Sequence, residues 1–286
     1  MNIGIIGAGV VGGATGKVLS SHHEVMYYDK FKAPYNRKEN LETIARKATV
    51  AFVCVPTPMQ PNGAMDYSTI YNSLHDLLEC FSNEVRNPRE LITVIRSTAV
   101  SGTTDTVAQQ FPFRFAFNPE FLREKHAEDD MKNTTRVVIG TNEEEVCHTL
   151  TALYRVVFPD ANYNCVSIKT AEMIKYAANV MLASQVAIAN ELYRVCEGVG
   201  VEYDEVKRAI LYDPRIGRNI DVPGHDGGFG FGGKCFPKDL RALIYLAREH
   251  NVDTYLFEEV WRSNLTCRTK KDWLEILGAT SGNNFS

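Results

Sequence analysis

The sequence predicts an α/β protein, with a parallel sheet in its first half and an all-helical second half built round one long helix. Three observations carry this. Short β-branched runs alternate with amphipathic stretches as far as residue 166, the rhythm of βαβ units and hence of a parallel sheet. From Lys169 to about Gly198 no Pro or Gly interrupts a stretch rich in Ala, Leu, Met and Glu, which reads as one helix of about eight turns. The composition, 44% hydrophobic and 23% charged, is that of a globular chain able to bury a core.

The elements follow in order. Candidate strands cover residues 2–6, 24–28, 50–55, 91–96, 113–117 and 136–139, with a further short one at 162–166. Amphipathic helical stretches lie between them, for example at 67–81 and 103–110. After the long helix, further helices are expected at 202–212, 240–249 and 255–262, interrupted by a Gly- and Pro-rich loop at 213–237. The change of character places a domain boundary near Ser167, giving a sheet domain over 1–167 and a helical domain over 168–286. The small polar residues 279–286 are expected to be disordered.

Charge narrows the function. The net charge is −4 and Lys and Arg form no dense run, so no nucleic-acid partner is expected and an acidic substrate would need individually placed cations. No apolar run approaches the roughly 18–20 residues of a membrane span, and MNIGIIGAGVVGG enters a strand directly, without a signal peptide's basic start. The seven cysteines are widely spaced and form no CxxC pair. This favours unbridged thiols in a reducing, cytoplasmic setting over a disulfide framework or a zinc site, and no metal is expected.

Gly7-Ala8-Gly9-Val10-Val11-Gly12 matches GxGxxG between the first strand and the first helix. In a Rossmann-type unit, Gly7 would permit the tight turn, Gly9 the approach of a diphosphate and Gly12 close helix–strand packing. The helix start at Val10 and Val11 would face the phosphates. Asp29 ends the second strand 17 residues after Gly12, where a carboxylate accepts ribose hydroxyls and favours NAD over NADP, although Lys30 beside it weakens the exclusion. Cys54-Val55-Pro56-Thr57-Pro58 and Arg96-Ser97-Thr98 end the third and fourth strands. Ligands of open α/β sheets bind at such carboxyl ends, although either loop alone is more often just a turn.

Residues 227–239 read GGFGFGGKCFPKD, five glycines in the first seven positions. Such a run costs conformational entropy and lets a backbone lie close against a ligand. Cys235 follows, near the start of a helix, with Lys234 and Lys238 beside it and Asp239 in the first turn. Cations and a helix N-terminus lower a thiol pKa, which makes Cys235 the candidate nucleophile. Cys54, Cys147 and Cys196 sit in apolar or helical contexts suited to inert thiols. Asn118-Pro119-Glu120-Phe121-Leu122-Arg123-Glu124 puts Glu120 at another strand end, suited to a general acid or base. Lys175 and Asn179 are four apart on the long helix and share a face. That face meets either solvent or a site, and on spacing alone solvent is the commoner outcome.

These motifs together resemble the UDP-glucose/GDP-mannose 6-dehydrogenases. The matching stretches are GAGVVG, CVPTP, RST, FNPEFLRE, AEMIKYAANVMLA, DPRIG and GFGFGGKCFPKD, in the family's order over residues 1 to about 265. The resemblance implies a four-electron oxidation of a nucleotide sugar's C6 alcohol with two NAD, through a thiohemiacetal and a thioester on Cys235. It implies that Lys175 and Asn179 stabilise oxyanions, with Lys175 a possible first base, and that Glu120, Thr98 and Asp239 hold and activate water. Val55, Pro56, Thr57, Ser97, Thr98 and Glu124 would contact the cofactor. Glu120, Phe121, Leu122, Lys175, Asn179, Phe231 and Gly232 would meet the substrate, and Arg215 would reach the substrate of a neighbouring subunit. The long helix would be the core of a homodimer.

Two departures from the family are visible. Family members usually continue for a further α/β domain, whereas this sequence stops soon after Asn264, so a more exposed nucleotide is expected. The loop from Arg215 to Cys235 is longer than the pattern, and its extra HDGG would either cover the substrate or be tolerated surface. UDP-glucose is the expected substrate, with GDP-mannose fitting the same motifs. A shortened relative acting on a smaller alcohol, and an NAD-binding remnant that needs a partner chain, are the other readings.

Overall fold

The computed structural model describes residues 1–82, 86–276 and 278–281. The chain forms two compact units, one of Met1–Thr57 with Tyr67–Lys175, the other of Pro58–Asp66 with the residues from Tyr176 onward.

The first unit holds seven strands: β1 (Asn2–Ile6), β2 (Glu24–Tyr28), β3 (Val50–Val53), β4 (Ile92–Ile95), β5 (Arg114–Phe117), β6 (Arg136–Gly140) and β7 (Asn162–Val166). Their order is β2-β1-β3-β4-β5-β6-β7. Every neighbouring pair is parallel except β5 and β6, which meet antiparallel at Phe117 and Gly140. The expected parallel sheet therefore reverses once, and the order turns at β1, where ligand-binding crevices of such sheets open.

Alternation along the strands sorts the side chains between two faces. Ile3 and Ile5 of β1, Val50 and Phe52 of β3 and Ile92 and Val94 of β4 pack with α1 (Val10–Leu19), α5 (Ala127–Lys132) and α6 (Glu144–Arg155). Ile6, Ala51, Val53 and Ile95 pack on the other face with α2 (Lys38–Lys47), α3 (Ser68–Phe81), α4 (Thr103–Ala108) and the first turn of α7 (Ile168–Val199). Burying each Leu or Ile of these layers is worth about 1.5–3 kcal/mol.

The second unit is helical: the remainder of α7, α8 (Tyr203–Ile210), α9 (Phe236–Glu249) and α10 (Tyr255–Cys267). Val180, Ala183, Ala187, Phe231, Leu240, Ile244 and Val260 form one core, and Ala189, Cys196, Tyr203, Ile220 and Val222 another. The helix expected to end at residue 262 continues to Cys267.

Two expectations are corrected. Ala279 is buried, and the backbone around Met59 pairs with Ala279, Thr280 and Ser281, so residues 279–281 are ordered; residues 282–286 lie outside the described residues. Cys147 of α6 and Cys165 of β7 are joined in a disulfide. The reading of seven unbridged thiols fails, and with it the thiol argument for a reducing compartment. The two cysteines stand 18 residues apart, and only the packing of a crossover helix beside its strand makes them neighbours. Among the described residues no helix is long and apolar enough to cross a membrane.

Candidate active site

The glycine turn is built for a diphosphate. Gly7 has φ +95°, and a Cβ there would stand 2.6 Å from the Cys54 carbonyl oxygen. A side chain at Gly12 would collide with the carbonyl of Gly7, whereas around Gly9 there is open space. Gly9 is the N-cap of α1 and supplies no side-chain acceptor, and Val10 is exposed. The first N–H groups of α1 therefore face open space with the positive end of the helix dipole behind them, which fits an NAD diphosphate. Asp29 is half-buried; Oδ2 accepts from Ala8 N at 2.7 Å, and Oδ1 accepts from Phe31 N and Lys32 N at 3.0 Å. The carboxylate thus braces the same turn it was expected to serve.

The loops after β3 and β4 are bonded to each other. Thr57 Oγ1 donates to Thr98 O at 2.9 Å, and Ser97 Oγ donates to Val55 O at 2.7 Å. Thr69 Oγ1 donates to Pro56 O. Beneath them Arg96 is buried, its guanidinium donating to Thr15 Oγ1, to Asn118 and to Tyr154 Oη. Sequence reasoning noted Arg96 only as the residue before two hydroxyls; the signal for more was a charge at the end of an otherwise apolar strand. Cys54, under the glycine turn, is inert: burial pushes its thiol up to about 12, with Arg96 only partly offsetting it.

Glu120 and Lys175 meet in the first unit, and both are buried. Lys175 Nζ donates to Glu120 Oε1 at 2.8 Å and to Glu120 O at 2.7 Å. Leu122 N donates to Glu120 Oε2 at 2.7 Å. Burial alone would raise the Glu120 pKa; the Lys175 charge and hydrogen bond, the Leu122 amide and the Arg96 charge outweigh it and hold the carboxyl below its ordinary value. Glu120 is thus an ionised group that grips Lys175. The Phe121 ring lies 5.7 Å from Lys175 Nζ and carries the Arg136 guanidinium at 3.8 Å, a cation–π arrangement. Glu124 opens a short exposed 3-10 turn. One turn before Lys175, the buried Glu172 accepts from two backbone amides of another loop, a feature that sequence reasoning missed.

In the second unit, Cys235 is half-buried and is the N-cap of α9, with Pro237 in the first turn. Its carbonyl accepts from Asp239 N at 2.8 Å. A thiol at this end of a 14-residue helix feels the positive dipole. Lys238 contributes less than expected, because its ammonium is paired with Asp239 Oδ1 at 2.5 Å. Asp239 is buried and accepts from Asn179 Nδ2 at 2.5 Å on its other oxygen. Lys175 and Asn179 are 3% and 8% exposed, so the solvent outcome favoured by spacing alone is overturned.

Part of the glycine loop is filled by the protein's own side chains. Side chains at Gly230 or Gly232 would collide with Asn264 and with Arg268 and Asp272 respectively, and one at Gly228 would stand 3.1 Å from Arg268 Nη1. Asn264 accepts from Phe231 N at 2.7 Å and donates to Phe231 O at 3.0 Å. Asp272 Oδ2 accepts from Gly233 N at 2.9 Å. Buried Arg268 donates to Asp226, Asp272 and the Phe229 carbonyl. Gly228, Gly230 and Gly232 thus admit the protein's own side chains, whereas a Cβ at Gly227 or Gly233 would meet nothing within 4 Å. Asp226, in the extra HDGG, pairs with Arg268, so this stretch serves the brace beneath the loop and is more than tolerated surface. The Phe231 side chain belongs to the helical core. Arg215 is well exposed and held by Asp213 at 2.5 Å. Among the described residues no group of three or more His, Cys, Asp or Glu could hold a metal ion.

The chain matches the model of the UDP-glucose/GDP-mannose dehydrogenase family, NAD binding domain, over residues 32–158, and that of the family's central domain over residues 169–266. A Putative UDP-glucose 6-dehydrogenase of Bacillus subtilis is 36% identical over 227 residues, covering 76% of this chain and 50% of that protein. The chain spans about half the length of several of the curated relatives it matches. Among solved structures, a UDP-glucose dehydrogenase from the archaeon Pyrobaculum islandicum superposes with TM-score 0.79 at 27% identity, over 93% of this chain and 68% of that one. A GDP-mannose dehydrogenase from Pseudomonas aeruginosa gives 0.67 at 29%, over 93% and 69%.

Proposed function

Since the chain belongs to the UDP-glucose/GDP-mannose dehydrogenase family, we propose that it oxidises the C6 alcohol of a nucleotide sugar to the carboxylate, with UDP-glucose as the substrate and Cys235 as the nucleophile. The observation that carries the reading is Cys235 itself, a thiol at the N-terminus of α9 on a loop braced from below. NAD supplies the hydride acceptor in each of the two oxidations. The glycine turn and Asp29 would hold it, with Val55, Thr57, Ser97, Thr98 and Glu124 at the same end of the sheet.

The residues divide the remaining work. Lys175, held by Glu120 in a buried setting, supplies fixed positive charge to an alkoxide as the alcohol proton leaves. The Cys235 thiolate adds to the aldehyde carbon, giving a thiohemiacetal whose oxygen takes a proton. Its second oxidation leaves a thioester, so the reactive aldehyde is never released. Water then adds to the thioester carbon and the C–S bond breaks, which releases the carboxylic acid and returns Cys235 to the thiol. Asp239, with Asn179 and Lys238 on its oxygens, is the group that would position this water. Arg215 would serve the neighbouring subunit of a homodimer formed on α7, where Met181, Ile188, Val195 and Val199 are exposed, an apolar stripe that a second copy would cover. A cytoplasmic setting goes with this activity.

The test is NADH formation by the purified chain with UDP-glucose and with GDP-mannose. Two NADH per UDP-glucose, abolished in Cys235→Ala, is expected. Turnover that survives Cys235→Ala removes the thiol mechanism, and turnover with GDP-mannose alone moves the substrate.

A further inference from the structure

The loop between β4 and α4 carries Ser97 and Thr98 and ends at Gly102, which has φ +98° and is the N-cap of α4. Glycine has no side chain with which to cap a helix, and α4 has no side-chain cap of its own. Its first amides are served instead from α7. Glu172 Oε2 accepts from Gly102 N at 2.6 Å, and Oε1 accepts from Thr104 N at 2.8 Å. The carboxyl is fully buried. The same loop is fastened at Val100 N, which donates to Tyr67 Oη at 2.9 Å, at Ser101 Oγ, which donates to Lys169 O at 3.1 Å, and at Thr98 O, which accepts from Thr57. Glu172 is the one acidic group among these fastenings. It lies one turn before Lys175 on α7.

We propose that Glu172 is a positioning residue for the cofactor. Its carboxylate fixes the loop bearing Ser97 and Thr98 to the helix bearing Lys175, and loss of its charge loosens that loop and weakens NAD binding. The proposal rests on the assignment of Ser97 and Thr98 to the cofactor end of the sheet.

The chemistry is specific to the ionised form. Both oxygens face N–H donors, so both must accept. A proton on either oxygen sets an O–H against an N–H and breaks one of the two bonds. Hydrogen bonds to charged groups are among the stronger ones, and losing one is worth about tenfold or more in an equilibrium it controls. Burial raises the Glu172 pKa to about 7, the Thr104 and Gly102 bonds restrain it, and Asp105 in the first turn of α4 adds to the rise. Asp105 itself accepts from Asn142. The nearest cations on the same helix are Lys169, beside Gly102, and Lys175, engaged by Glu120; Arg194, about six turns on, pairs with Glu191.

Two pH trends therefore run in opposite directions. The folded-state pKa is raised, so the stability due to Glu172 is full below about 4.5 and is lost as pH rises to about 7. NAD affinity rises over the same upper range, because the loop is fixed only by the ionised form. A merely structural role would produce the first trend without the second.

The experiment is NAD binding to the whole chain, by calorimetry from pH 6 to 8.5, with no sugar present. The unmodified protein is expected to bind about tenfold more tightly at the upper end, with a midpoint near neutrality. Glu172→Gln is expected to bind weakly and evenly across the range. A flat profile in the unmodified protein overturns the proposal, whether or not the variant folds; so does a Glu172→Gln profile that matches the unmodified one. Thr98→Val is the control for the premise. Unchanged affinity there removes the cofactor assignment of the loop, whereas weakened affinity with a flat unmodified profile removes Glu172 alone.

Discussion

Lys175 Nζ lies 2.8 Å from the Glu120 carboxylate and 2.7 Å from the same residue's carbonyl oxygen, so one acidic residue grips the ammonium through both its side chain and its backbone. Neither partner is more than a tenth exposed. Removing one leaves the other's charge buried, which costs about 3–5 kcal/mol, more than a surface pair is worth.

Lys175→Met is therefore expected to lower the unfolding free energy in urea by about 3 kcal/mol, and to abolish turnover. The pH dependence has a definite sign. The Glu120 pKa is depressed, so its contribution is present above the ordinary carboxylate value of 4.5 and is lost as pH falls below it. Urea titrations from pH 3 to 7 should show this acid-side loss flattened in Lys175→Met. An equally steep loss in both proteins would mean that the pair does not govern it.

On the proposed mechanism, Asp239→Asn is expected to separate the two halves of the reaction. Without the carboxylate the thioester should hydrolyse slowly while the earlier steps proceed. Rapid mixing of enzyme, NAD and UDP-glucose should show a burst of NADH stoichiometric with active sites, then a rate at least about tenfold below normal. A linear trace at the normal rate would take Asp239 out of the hydrolytic step.

Arg268 braces the loop that leads to Cys235. Its guanidinium is buried, but Asp226 and Asp272 are partly exposed, so Arg268→Ala should cost about 2 kcal/mol, less than a fully buried pair. Alkylation of Cys235 by iodoacetamide should change in rate in the same variant. Lysine should not restore it, because a single ammonium does not reproduce the fork.

Gly232→Ala adds a methyl where Arg268 and Asp272 already stand. The single variant should lose thermal stability, and the double variant with Arg268→Ala should lose less than the sum of the two, with a coupling of about 1 kcal/mol in a double-mutant cycle. Strict additivity would place the strain elsewhere.

Thiol titration checks the cysteine pattern. With Cys147 and Cys165 bridged and five thiols unbridged, the denatured, unreduced protein should react with five equivalents of reagent. Seven equivalents would return the chain to the unbridged pattern expected from spacing.

Much of the fold was legible because it is local. Asn2–Ile6, Glu24–Tyr28 and Asn162–Val166 are strands at the expected residues, and the long helix runs from Ile168 to Val199. Periodicity of two or 3.6, punctuated by Gly and Pro, is a property of neighbours in sequence. The reversal at β5 and β6 was not legible, since strand direction depends on the route of the connection. Lys175 and Asn179 were found by their spacing, but whether their face meets water is decided by what packs against it.

What the sequence by itself determined is the order of elements, the glycine turn before α1 and the one thiol set between a glycine loop and a helix start. These follow from residue type and short spacing. The tertiary structure decided which groups meet across long stretches of chain: Glu172 with the amide of Gly102, 70 residues away, Lys175 with Glu120, 55 away, and Arg268 with Asp226, 42 away. No period marks such pairs. Each is a buried charge that is tolerable only where folding brings it a partner, so its role is settled when the core closes round it.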